Sequence, residues 1–307
     1  MDLALIQTAL ELGLVCSLTV LALFLSYSML GVCDLSTDGC FTLGAAVGAV
    51  AAISGHPYLA LPAAMLAGVC SGFVTALLQT RMGINSLLAG IIVNTGLYSV
   101  NIWVMGGKSL LNMNQTETVF TKVRGLLEGT PLAGQYTLVT AALAAALTAA
   151  LLTVFLNTRL GLAIRATGNN PDMVRSSSVN PVFTTTVGLC VANAFTGLSG
   201  CLLGQMQKSV NIDIGSGMVT IALASLLIGS TFFGRGGIGL RAAGMVAGAF
   251  LFRLVYTVAL RFEMPAYMLK LVSSVIIILA ISGPYLREQW PMLRRRMTHR
   301  TAAKGGQ

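Results

Sequence analysis

From its first residues the chain alternates long apolar runs with short polar breaks. The runs lie near 4–30, 40–55, 58–80, 84–105, 134–156, 182–204, 217–233, 242–261 and 266–284. Roughly twenty apolar residues wound as an α-helix, at about 1.5 Å each, cross a hydrocarbon core of about 30 Å. The pattern therefore predicts an all-α integral membrane protein, a polytopic helical bundle of about nine spans. A transmembrane barrel would instead show short segments of alternating polarity. The second and seventh runs are short and glycine-rich, which predicts broken or re-entrant helices. An odd offset of five spans would relate the two halves as an inverted repeat. Residues 1–286 read as one transmembrane domain with a cytoplasmic segment at 159–177, and residues 287–307 as a basic tail.

Composition agrees and narrows the class. Hydrophobic residues make up 55% of the 307 and charged residues 9%, against roughly 25% charged in soluble proteins. Mean hydropathy is +0.81. The 34 glycines suit helices that approach closely through small residues. Basic residues cluster on alternate loops, which orients the spans. The tail holds Arg287, Arg294, Arg295, Arg296, Arg300 and Lys304, so the C-terminus is expected in the cytoplasm. Counting back places Arg81, the 159–175 stretch, Arg235 and Arg241 on the same side, and puts the N-terminus outside. The net charge of +9 is thus an inner-face bias and not a nucleic-acid footprint. The opening MDLALIQ lacks the basic start of a cleaved signal and reads as part of a retained span.

Chemistry for an enzyme is scarce. The six cysteines form no CxxC or Cys/His pair, and the two histidines, His56 and His299, stand far apart. No metal site and no nucleophile–base constellation is expected. Gly234-Arg235-Gly236-Gly237-Ile238-Gly239 matches a dinucleotide fingerprint but has no βαβ context. It reads as a tight inner turn between two spans. No G-x-x-x-x-G-K-[ST] loop occurs, so the chain itself is not expected to hold ATP or any cofactor.

The longest polar interruption is RLGLAIRATGNNPDMVRSSSVNP, residues 159–181. A short helix through Ala163, Ile164 and Ala166 should end at Gly168-Asn169-Asn170-Pro171. Asp172 should then open a second helix at its positively polarised end, with Arg165 and Arg175 flanking. A solvated connecting loop is the plainer alternative.

With this turn the chain resembles the permease subunits of ATP-binding-cassette importers of the branched-chain amino acid and ribose type. The resemblance rests on Arg165 to Pro171, on Asp34-Leu35-Ser36-Thr37-Asp38-Gly39 running into Phe41-Thr42-Leu43-Gly44-Ala45-Ala46, and on Gly83-Ile84-Asn85-Ser86-Leu87-Leu88-Ala89-Gly90. It is closest to the branch linked to lipoprotein-type, amino-acid-binding partners. Asp38 stands where the ribose branch has valine or glycine. The resemblance implies a transport subunit and not an enzyme, working in the bacterial inner membrane. Its partners would be cytoplasmic ATPase subunits, which carry ATP and Mg, an extracytoplasmic substrate-binding protein, and a second permease copy. The coupling residues would be Arg165, Gly168, Asn169, Asn170, Pro171, Asp172 and Arg175. An ion-gradient-driven secondary transporter is the alternative.

Polar residues inside spans are costly in lipid and usually face the bundle interior. Asn94, Tyr98 and Asn101 fall at i, i+4 and i+7, on one helical face. They read either as a path-lining stripe or as interhelical glue, and Asn193 with Thr196 reads the same way. Asp34 and Asp38 follow the first span, either contacting a substrate ammonium or accepting backbone N–H bonds at the next helix. The two charges Glu11 and Arg253 lie within spans and are expected to pair or share a network. Gly44-x-x-x-Gly48 and Gly244-x-x-x-Gly248 permit close helix contact.

Overall fold

The computed structural model describes residues 3–128, 133–234 and 236–261, with a few helical positions between 271 and 282. The expected span at 266–284, the basic tail and Arg235 fall largely or wholly outside the described residues. Two units are distinguished, Met1–Leu254 and Val255–Gln307. In the second, the described residues are the last turns of one helix and those scattered positions.

Eight of the nine expected runs appear as helices. They are α1 (Leu3–Leu23, continued by a π-helical turn at Phe24–Met29), α2 (Thr37–Ile53), α3 (Pro57–Thr80), α4 (Ser86–Val104), α6 (Tyr136–Asn157), α9 (Pro181–Gln207), α10 (Met218–Phe233) and α11 (Ile238–Arg261). Between them come the short helices α5 (Val119–Leu127), α7 (Arg159–Asn169) and α8 (Pro171–Ser176). Six of the described helices are long and apolar enough to cross a membrane; α2 and α10 are shorter. At 17 and 16 residues these two reach only about 26 and 24 Å. Unwound stretches, 31–36 and 212–217, precede them.

The helix limits follow from local chemistry. Asn85 caps α4, its side chain accepting from Leu87 N, and Asn180 caps α9 in the same way before Pro181. Pro57, Pro171 and Pro181 all sit in first turns, where the missing N–H costs nothing. Thr118 and Thr121 form a reciprocal capping box on α5. Of the Gly234–Gly239 match, Gly234 follows the end of α10 and Ile238 and Gly239 open α11.

Helices α2, α3 and α9 form the centre of the first unit, and glycine sets their spacing. A Cβ at Gly44 would collide with the carbonyl of Gly197, one at Gly68 with that of Asn193, and one at Gly200 with that of Phe41. Backbones this close gain dispersion contacts that lipid cannot match, which drives helix association where the hydrophobic effect is absent. The Gly244/Gly248 pair works the same way, Gly248 lying against Ser225 of α10. On one side of the bundle Leu110–Asn112 and Ser209–Asn211 pair as antiparallel strands β1 and β2, in the register Leu111 opposite Val210. Gln205 of α9 accepts from Val119 N at 2.8 Å, anchoring α5 beside them.

Candidate functional site

Two polar regions stand out, a cavity beside the start of α2 and the helical hairpin α7–α8. The cavity, of about 330 Å³, is lined by residues of α2, of α4 and of the turn before α10. The volume lies at the small end of the range for small-molecule sites, roughly 300–1,000 Å³. Asn94, Tyr98 and Asn101 all line it, so the i, i+4, i+7 stripe does share one polar surface. Asp38 lines it too, together with Thr42, Asp213 and Ser216.

The Asp38 carboxylate has a second task. One oxygen accepts from Gly217 N at 2.9 Å and the other from Val219 N at 2.8 Å. It therefore caps α10, a helix 180 residues downstream, and not its own helix α2. Gly215 N donates to the Thr42 hydroxyl at 3.2 Å, and a Cβ at Gly215 would collide with the Asp38 carbonyl. The 212–217 turn is thus pinned to the first turns of α2, which puts Asp213 and Ser216 on the cavity wall. Sequence reasoning missed both. The available signal was an acid beside a Gly-Ser-Gly turn immediately before a short apolar helix.

Asp34 and Asn193 lie elsewhere. Both are about 1% exposed and bond to each other, Asn193 Nδ2 donating to Asp34 Oδ2 at 2.7 Å. The other Asp34 oxygen accepts from Ser36 N at 2.8 Å and Ser36 Oγ at 2.6 Å. Thr75 of α3 donates to Ser36 Oγ at 3.2 Å. This buried node fixes the unwound stretch before α2 against α3 and α9. Thr196 bonds within its own helix, to Ala192 O at 3.2 Å.

The 159–181 stretch forms two helices that meet at Asn170. This residue ends α7 and caps α8, its side-chain oxygen accepting from Asp172 N and Met173 N at 3.1 Å each. Asp172 stands in the first turn of α8 and meets Arg175 at 3.4 Å. Asn169, Asn170, Pro171, Asp172 and Arg175 are exposed. The opposite face of α7 is buried. Ile164 is fully covered, the Thr167 and Thr184 hydroxyls lie 2.8 Å apart, and Gly168 fits so tightly that a Cβ there would strike the Met29 carbonyl. Arg165 lines a second cavity at this place with Gly168, Asn169 and Arg241, and the Arg241 guanidinium stacks 5.3 Å from the Phe24 ring.

The two intramembrane charges both contact α1. Glu11 accepts from Gln7 at 3.0 Å, and Arg253 donates to Cys16 Sγ at 3.1 Å.

Among known proteins, the family model described as branched-chain amino acid transport system / permease component matches residues 5–281. A tyrosine transport system permease protein of Clostridioides difficile (strain R20291) is 30% identical over 268 residues, covering 87% of this chain and 86% of that protein. An uncharacterised protein of Rickettsia prowazekii (strain Madrid E) is 28% identical over 282 residues, covering 90% and 96%. No solved structure matches significantly.

Proposed function

The chain belongs to the permease components of branched-chain amino acid transport systems, multi-pass membrane subunits of amino-acid importers, and we propose how its parts divide that work. Solute crosses through the cavity lined by Asp38, Asn94, Tyr98 and Asn101, with the Asp34–Asn193 node holding the wall behind it. Given the tyrosine transport named for the Clostridioides relative, an aromatic amino acid is the favoured cargo. The chain completes nine spans, with the N-terminus outside and the C-terminus in the cytoplasm, and works beside a second permease copy. A binding protein delivers solute from outside, and cytoplasmic ATPase subunits, which hold ATP and Mg, dock on α7–α8.

The observation that carries this division is a series of three close contacts spaced along residues 29–38. Gly168 of α7 presses on Met29 and Leu30 at the end of the π-helical turn. Four residues on, Asp34 bonds Asn193, and after four more Asp38 holds the start of α10. A displacement of α7 by a docked ATPase therefore bears directly on the chain segment that shapes the cavity. π-helical turns recur at functional sites, and this one lies where the push would enter.

The test is purification of the chain from native membranes in mild detergent, followed by uptake in proteoliposomes. A stoichiometric ATPase and ATP-dependent amino-acid uptake are expected. The chain alone, with uptake that persists without ATP and stops when an ion gradient is dissipated, would replace this reading with a secondary transporter.

A further inference from the structure

We propose that the cavity between α2, α4 and the 212–217 turn is an ammonium site, in which Asp213 and the side-chain oxygen of Asn101 receive the α-ammonium of an amino acid. The proposal rests on the reading of this cavity as part of the solute path and says what the path recognises.

The charge of the wall comes first. Its lining holds two carboxylates, Asp38 and Asp213, and no lysine, arginine or histidine. Asp38 is committed to the protein, each oxygen taking a backbone N–H of the 217–219 segment. Those bonds also offset the positively polarised end of α10, which would otherwise repel a cation. Among the described residues no hydrogen bond or ion pair engages the Asp213 carboxylate. Asp213 is thus the charge left for a ligand.

Asn101 supplies the second observation. Only 1% exposed, it donates through Nδ2 to Gly39 O at 3.2 Å, while its Oδ1 is buried with no partner. Exchanging the amide nitrogen and oxygen would lose the bond to Gly39, so the unmet group is an acceptor. A buried acceptor without a donor is costly, and a cationic N–H donor is the strongest remedy.

The hydroxyls beside these groups point the same way. Thr42 Oγ1 donates to Asp38 O at 3.1 Å, and Thr95 Oγ1 donates to Ile91 O at 2.9 Å. Their hydrogens are turned into the helices, so neither hydroxyl offers a donor to the cavity, and Thr42 Oγ1 also takes the Gly215 N–H. Gly39 lets α4 lie close against α2 at this wall, since a Cβ there would stand 2.7 Å from Asn94 Oδ1. A wall with two carboxylates, one of them uncommitted, and no cationic side chain suits a small cation bearing several N–H groups. An α-ammonium fits this description, whereas a carboxylate or phosphate placed there would be repelled.

The test uses the complete complex, reconstituted with its ATPase and binding protein, with L-tyrosine as the probe and the binding protein saturating. Asp213→Asn should slow ATP-driven uptake by about tenfold to a hundredfold, the value of one charge-assisted hydrogen bond. Asp213→Glu should retain most of the rate. Both variants should insert, co-purify with the ATPase and melt within about 0.5 kcal/mol of wild type, because the Asp213 side chain is exposed and bonds nothing the fold needs. Uptake by Asp213→Asn equal to wild type would overturn the ammonium site and leave the solute path standing. If the wild-type complex imports neither tyrosine nor any other amino acid, the solute-path reading falls and the site falls with it.

Discussion

Asn193 Nδ2 donates to Asp34 Oδ2 at 2.7 Å, joining two buried side chains 159 residues apart. One belongs to the middle of α9 and the other to the unwound stretch before α2, so the bond ties that stretch to α9. Asn193→Leu would leave a buried carboxylate oxygen without its donor. A loss of about 2–4 kcal/mol is expected, read as a lower melting temperature in detergent. Asp34→Leu/Asn193→Leu should cost less than the sum of the single changes, because removing both partners leaves neither unmet.

Gly168→Ala sets two effects against each other. Alanine favours a helix interior by about 1 kcal/mol, yet its Cβ would meet the Met29 carbonyl. Overpacking of this kind costs about 1–3 kcal/mol and cannot relax cheaply against backbone. The expected outcome is displacement of α7 and loss of coupling: ATP hydrolysis continues in the assembled complex while uptake falls by about tenfold or more. Normal uptake would show that α7 does not work through this contact.

Arg175→Glu isolates docking from folding. Arg175 and Asp172 form an exposed pair with side chains 66% and 86% accessible, worth no more than about 1 kcal/mol. The variant should insert and melt like the wild type, within about 0.5 kcal/mol. Co-purification of the ATPase should nevertheless fall sharply. Retained ATPase and normal uptake would remove α8 from the interface.

Gln205→Leu probes the opposite side of the bundle. Its side-chain oxygen takes the Val119 N–H at 2.8 Å, the first orphan donor of α5. Without it that N–H is buried and unmet, at a cost of about 1–3 kcal/mol. Faster amide exchange across 118–127 is expected, with the exchange of α9 unchanged. Equal protection in variant and wild type would show that Phe120 and the capping box hold α5 alone.

Much of this architecture was legible in the order of residues. Eight helices lie within a few residues of the apolar runs, since run length and mean polarity act locally and lipid penalises every unpaired backbone group. The hairpin at 159–176 also came from local signals: Asn170 followed by Pro171 and Asp172 is helix-cap chemistry regardless of what surrounds it. The stripe Asn94, Tyr98, Asn101 followed from the helical period alone. Even the shortness of α2 and α10 was visible in their glycine-rich runs.

Which polar groups meet was a matter for the tertiary structure. Asp38 stands in the first turn of α2, yet its carboxylate caps α10, because the close approach of Gly215 to Asp38 and Thr42 brings two distant helix starts together. Asp34 could have faced the cavity, but its partner is Asn193 and both are buried. Asp213 was not singled out in the sequence, and it reaches the cavity wall only because Thr42 and Asp38 pin its turn to α2. Periodicity and capping are encoded within a few residues, so one sequence shows them. Pairings across more than a hundred residues depend on how closely backbones approach, and that distance exists only once the helices have packed.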